Sequence, residues 1–139
     1  MLVLMRIAIT SPERLFLDSL VAIFADTKFN VVSADTDCRN SVLAARQDHA
    51  DLLLVDLYNA TQADIQFLLG AQAFGDFQTI AILQLDQRLP EGLSIGITRS
   101  EPATALISLV QGMESSVVAK PATRGRGRPR IVTTGFEIG

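Results

Sequence analysis

The sequence predicts an α/β fold with a parallel sheet wound on both sides, and three observations carry that expectation. Asp51-Leu52-Leu53-Leu54-Val55-Asp56 sets four consecutive large aliphatic residues between two carboxylates, the pattern of a strand buried on both faces. Short β-rich apolar runs alternate with stretches of helical periodicity along most of the chain. Helix-start signals follow the runs, as at Ser11-Pro12-Glu13 and Glu101-Pro102. Asp56 falls where its strand should emerge at the carboxyl end. Ligands and chemistry collect at that edge of open α/β sheets, so Asp56 is the first functional candidate.

Arg6-Ile7-Ala8-Ile9-Thr10 reads as the first strand. Ser11 as N-cap, Pro12 at the first helical position and Glu13 near the positive end of the dipole then start a helix. Leu15, Phe16, Leu20, Ile23 and Phe24 carry it at helical spacing to about Ala25. Phe29 to Ala34 is a second, valine-rich strand. Asp35, Thr36 and Asp37 offer alternative caps for a helix to about Asp48, with Val42, Leu43 and Ala45 inward. After the Asp56 strand, the polar loop Tyr58-Asn59-Ala60-Thr61 leads to a helix with Ile65, Leu68 and Leu69 on one face, fading near Gly75. Thr79 to Leu83 is a buried strand and Leu93 to Ile97 a weaker one, loosened by Gly96. Leu106, Leu109, Val110 and Met113 recur at helical spacing behind Glu101-Pro102.

One interval breaks the alternation. Gln84 to Gly92, with Pro90 and Gly92 inside it, is shorter than the roughly 10–12 residues of a helical crossover. The fourth crossover helix should therefore be missing or rudimentary.

The totals bound the rest. A chain of 139 residues that is 48% hydrophobic is one domain with a real core and perhaps a short appendage. No apolar run reaches the roughly 18 residues of a membrane span. Met1 to Ile9, interrupted by Arg6, lacks the cleavage site of a signal peptide. A lone Cys38 permits no internal disulfide and fits a reducing compartment. The expectation is a cytoplasmic protein with no membrane partner. Residues 120–139 carry Lys120, Arg124, Arg126, Arg128 and Arg130 against Glu137, a net charge of +4, whereas residues 1–119 carry −7. Only the tail should be drawn to a polyanion.

Residues 5 to about 114 resemble the receiver domain of bacterial response regulators, of the kind attached to LuxR-type helix-turn-helix regulators. The resemblance rests on the strand–helix order, on Asp51-Leu-Leu-Leu-Val-Asp56-Leu57 and on Glu101-Pro102. It implies a CheY-like, flavodoxin-like fold: a doubly wound five-stranded parallel sheet in the order 2-1-3-4-5. It also implies a phosphoacceptor position at Asp56, served by a histidine kinase. A carboxylate attacking phosphorus needs a divalent cation, a lysine and usually a hydroxyl to offset the charge on the phosphoryl oxygens.

These helpers are replaced. The family's acidic pair aligns with Ser11 and Pro12, and Glu13 beside them more often points to solvent. The switch hydroxyl aligns with Gln84 and the aromatic switch position with about Ile95. The lysine aligns with Thr98. Arg99 beside it is a doubtful substitute, because strand neighbours face opposite sides. One carboxylate, a backbone carbonyl at Tyr58 and waters would hold a hard cation weakly. The expectation is a degenerate receiver over residues 1–119, non-enzymatic and without resident cofactor or metal. Mg2+ would enter only if Asp56 were phosphorylated. Such a module acts through protein contacts in transcription control, as a homodimer, with a kinase or another regulatory protein as partner. The opposing readings are a phosphoacceptor with Glu13 as makeshift cation ligand, and a minor-groove DNA-binding protein acting through residues 124–130; the plainest reading of Asp56 itself is a solvated strand-end acid.

Residues 120–139 form a flexible basic tail by composition. Arg124-Gly125-Arg126-Gly127-Arg128-Pro129-Arg130 resembles an AT-hook core, and inserted arginines suit the narrow, negative minor groove of A·T-rich DNA. A solvated linker with salt-sensitive phosphate attraction is the competing interpretation. His49 reads as a helix-end charge with no metal partner nearby. Cys38, near a helix start, reads as a small half-buried side chain rather than an activated thiol.

Overall fold

The computed structural model describes residues 5–74 and 77–123, the side chains of 114–123 excepted. The elements are β1 (Arg6–Thr10), α1 (Arg14–Ala25), β2 (Asn30–Asp35), α2 (Cys38–Gln47), β3 (Leu52–Asp56), α3 (Gln62–Phe74), β4 (Gln78–Leu83), β5 (Gly96–Thr98) and α4 (Ala103–Thr123). The strands form one sheet in the order β2-β1-β3-β4-β5, every pairing parallel. This is the expected flavodoxin-like order. The chain divides into two units, Met1–Leu106, which holds the sheet, and Ile107–Gly139. Helix α4 runs through the expected boundary at residue 120, and the tail arginines from Arg124 onward lie outside the described residues.

Strand alternation sorts the core into two faces. Ala8, Leu53, Val55 and Ala81 share one cluster with Val42 and Ala45 of α2 and Leu68 of α3. Ile7, Ile9, Leu52, Leu54, Ile80 and Ile82 point the other way and are buried, as are Leu17, Leu20 and Phe24 of α1. All five residues of β3 are buried, which explains its unbroken aliphatic run.

No helix joins β4 to β5. The link instead turns at Pro90, whose carbonyl accepts the Leu93 N–H at 3.1 Å, and passes through Gly92 at φ +101°. Leu93, expected in the fifth strand, is a buried plug in this link, packed into the cluster beneath α3. The strand itself starts later, at Gly96, and ends at Thr98. Helix α1 also starts later than Pro12. Its N-cap residue is Glu13, with no side-chain cap; the Ser11 hydroxyl stands two residues earlier, accepting the Glu13 N–H and donating to Asp56. Of the alternative caps before α2, Asp37 serves, accepting the N–H groups of Arg39 and Asn40. Among the described residues no helix is long and apolar enough to cross a membrane.

Candidate functional site

Sheet register brings the site together at the carboxyl ends of the strands. Asp56 pairs with Ile82, and Ile82 with Ile97. Arg99, two residues beyond Ile97, returns to the Asp56 side of the sheet. Its N–H still bonds the Leu83 carbonyl at 2.9 Å, one step past the end of β5. On the other flank Ile9 pairs with Leu54, so Ser11 lies next to Asp56.

Asp56 is 4% exposed, with its side chain fully covered. It is not the solvated acid that a strand end would allow. Each oxygen has donors. The Ser11 Oγ donates to Oδ2 at 2.8 Å, and the Tyr58 N–H donates to Oδ1 at 3.1 Å. Nη2 of Arg99 lies 2.5 Å from Oδ2, and the same nitrogen lies 2.5 Å from Oε1 of Glu13. One guanidinium nitrogen thus bridges two carboxylates. The Ser11 Oγ in turn accepts the Glu13 N–H at 3.1 Å, a local turn that holds this loop over Asp56.

Arg99 is built in from other sides as well. Its guanidinium carbon sits 4.1 Å from the centroid of the Phe16 ring and 5.1 Å from that of Tyr58. Burial pulls the guanidinium pKa down, but the bonds to Asp56 and Glu13 outweigh it and hold the group above its usual range. Its charge is therefore permanent. Below the site, Gln87 Nε2 donates to the Leu57 carbonyl and its Oε1 accepts the Gln84 N–H, both at 3.0 Å. Buried nitrogens at Arg99 Nε and Gln84 Nε2 have no partner.

Several expected positions need correction. Glu13 stays 44% exposed yet reaches the site through Arg99. Thr98 does not take the lysine position; its hydroxyl bonds Ser100 Oγ at 2.9 Å instead. Arg99 supplies the cation, because it lies beyond the strand and shares the parity of Ile97. Ser11 and Tyr58 do bond Asp56, Gln84 bonds Gln87 instead, and Pro12 is exposed and offers no side-chain ligand. Phe16 and Gln87 went unrecognised in the sequence, where nothing but helical spacing marked the first and nothing the second. His49 follows the Asp48 C-cap of α2 at φ 54°. The Cys38 thiol is pushed up to about 11 by burial and by Asp64 and Asp37, Arg39 opposing, so it is not an activated nucleophile.

The donor set does not suit a hard divalent cation, which takes several oxygen ligands with carboxylates among them. Glu13 Oε1 and Asp56 Oδ2 already share a guanidinium, and Ser11 and Pro12 stand where an acidic pair would be needed. No group of three or more His, Cys, Asp or Glu side chains gathers among the described residues.

No protein-family profile and no characterised protein sequence matches the chain. Its fold is nevertheless that of response-regulator receiver domains. A CheY-like receiver from Methanospirillum hungatei superposes with a TM-score of 0.69 at 16% identity, covering 82% of this chain and 96% of its own. The receiver domain of a Luxo repressor protein from Vibrio parahaemolyticus reaches 0.71 at 11% identity, covering 89% and 100%. The CheX–CheY–BeF3–Mg complex from Borrelia burgdorferi reaches 0.67 at 17% identity, covering 79% and 89%.

Proposed function

We propose that this chain is a regulatory module of receiver fold that works through protein contacts without accepting a phosphoryl group at Asp56. The observation that carries this is the Arg99 nitrogen placed between Asp56 and Glu13. A carboxylate that attacks phosphorus needs a free oxygen and a cation that can also bind the incoming phosphoryl group. Here Oδ2 is held by Ser11 and Arg99, and Oδ1 by the Tyr58 N–H. The residues do not fit Mg2+.

The receiver fold and the missing crossover helix favour a fixed protein-binding surface over one remodelled by phosphorylation. One fold neighbour is in complex with the protein CheX, which supports a docking role. Transcription control, homodimer formation, a kinase or other regulatory partner, and DNA contact through Arg124, Arg126, Arg128 and Arg130 belong to the same proposal. The reach of Glu13 to the site favours the opposing reading, a phosphoacceptor with Glu13 as cation ligand, only if Arg99 withdraws.

Intact-mass measurement after incubation with a small phosphodonor and Mg2+ tests the proposal. The expected mass is that of the unmodified chain. A stoichiometric phosphoryl adduct that disappears in Asp56→Asn would overturn it.

A further inference from the structure

Helix α3 is apolar on every side, yet the fold covers only one of them. From Gln62 to Phe74 it has a single charged residue, Asp64. Leu68 alone is buried, with Ile65, Phe67, Leu69 and Ala71 partly covered around it. About half a turn from Leu68, the helix presents Ala63, Gly70, Ala73 and Phe74 to solvent, Phe74 at 83% exposure. A helix that is hydrophobic all round is normally a buried one. Resting on the homodimer reading above, we propose that this face of α3 is the contact between two copies of the chain, crossing antiparallel at Gly70.

Charge favours a second copy as the occupant. In a twofold contact each patch meets itself, so a charged patch repels its own image. Residues 1–119 carry −7 in all, and the exposed sides of α1 and α2 bear Arg14, Asp18, Arg39 and Arg46. The solvent side of α3, made of Ala63, Gln66, Gly70, Ala73 and Phe74, carries no charge at all. The charges begin at its margin, where Arg39 of α2 lies 5.2 Å over the Phe67 ring and 3.5 Å from Asp64. An apolar centre with a polar rim is the usual anatomy of an interface.

Shape favours it as well. Gly70 is a notch between two rings, with Phe67 about one turn before it and Phe74 about one turn after. An antiparallel crossing at the notch sets Phe67 of one copy beside Phe74 of the other, and the twofold axis repeats the pair. The glycine itself has no use inside the chain. It weakens a helix interior relative to alanine, and an added Cβ would meet no neighbouring atom within 4 Å. Close approach of a second backbone is what its missing side chain allows. A covered ring buries roughly 150–250 Å2, so two rings and the flanking alanines supply on the order of 500 Å2 per copy. That is below the about 800 Å2 per partner of a standard interface, and the dimer should therefore be weak and reversible.

Sedimentation equilibrium of the full chain, from about 1 to 200 µM, tests this against an expected dissociation constant on the order of 10 µM. Gly70→Leu fills the notch, and Phe74→Glu places like charges on the patch. Each should raise the dissociation constant at least about tenfold. Both positions are exposed, so circular dichroism and urea midpoints should stay native. Leu15→Glu, at an equally exposed apolar residue of α1, should leave the constant unchanged. A native chain that stays monomeric throughout would overturn both this contact and the homodimer reading, and would leave the face to a different protein. A dimer that withstands Gly70→Leu and Phe74→Glu, or that Leu15→Glu weakens as much, would overturn the α3 contact while leaving the homodimer reading in place.

Discussion

Nη2 of Arg99 meets Oδ2 of Asp56 at 2.5 Å, joining the end of the central strand to a loop beyond the sheet edge. The pair is asymmetric. The Asp56 side chain is fully covered, whereas that of Arg99 is 24% exposed and keeps Glu13 as a second partner. Removing the arginine leaves a buried anion with only Ser11 and a backbone N–H. Removing the anion leaves a paired cation at the surface. Breaking a buried pair typically costs about 3–5 kcal/mol, less where one partner reaches solvent. Arg99→Ala should therefore cost about 2 kcal/mol, and the near-isosteric Asp56→Asn about 1 kcal/mol or less. Urea denaturation of the two variants decides the order. A larger loss for Asp56→Asn would mean that the carboxylate is held mainly by Ser11 and Tyr58.

The tail arginines make a separate expectation. If Arg124, Arg126, Arg128 and Arg130 enter a narrow minor groove, gel shifts should favour A·T-rich over G·C-rich duplexes, and replacing all four by alanine should abolish the shift. Equal weak binding to both duplexes, lost with modest salt, would leave only nonspecific attraction to phosphates.

The sheet was legible because burial writes itself into composition. The Leu52–Val55 run could only be a strand covered on both faces, and the short, proline-containing interval after Leu83 could not hold a crossover helix. Asp56 was legible by position. Its counter-ion was not. Gly96 blurs the fifth strand, and placing that strand at Leu93–Ile97 put the wrong neighbour in the pocket. The parity chain from Asp56 through Ile82 and Ile97 to Arg99 exists only once the register is known. The orientation of Glu13 depends in turn on Arg99, a residue far along the chain, so no local rule could supply it. Ser11 shows the same competition. Its hydroxyl accepts the Glu13 N–H as a cap would, but its proton goes to a carboxylate far along the chain, and the helix begins only after Glu13, without a side-chain cap.

Cys38 should resist alkylation. Burial, with Asp64 and Asp37 close by, pushes its pKa up to about 11, above the 9.0 of an unperturbed thiol, against the smaller pull of Arg39. At pH 8 its thiolate fraction, and hence its rate with iodoacetamide, should be about a hundredfold below that of the unfolded chain. The raised value also has a stability consequence. The unfolded thiol ionises first, so the folded state holds its full advantage below pH 9 and loses it as pH rises through about 11. Native labelling at pH 8 as fast as in urea would contradict the burial of this side chain.

The helixless link between β4 and β5 should be a stability determinant rather than a slack loop. Leu93 is 7% exposed and packs into the same cluster as Leu68, so Leu93→Ala should cost about 2–4 kcal/mol, as deletions in a formed core do. The neighbouring Gly92 permits that placement. At φ +101° any side chain is strained, and an added Cβ would stand 2.9 Å from Cδ2 of Leu69. The Leu69 methyl can shift, so the backbone term dominates, and Gly92→Ala should cost about 1–3 kcal/mol. The two residues serve one contact, the docking of the link under α3, so their effects should fall short of additive when combined. Urea midpoints of the two single variants and the double variant measure this. Additivity within error would mean that Gly92 shapes its turn independently of the Leu93 plug, while a negligible loss for Leu93→Ala would show that the link does not close this end of the core.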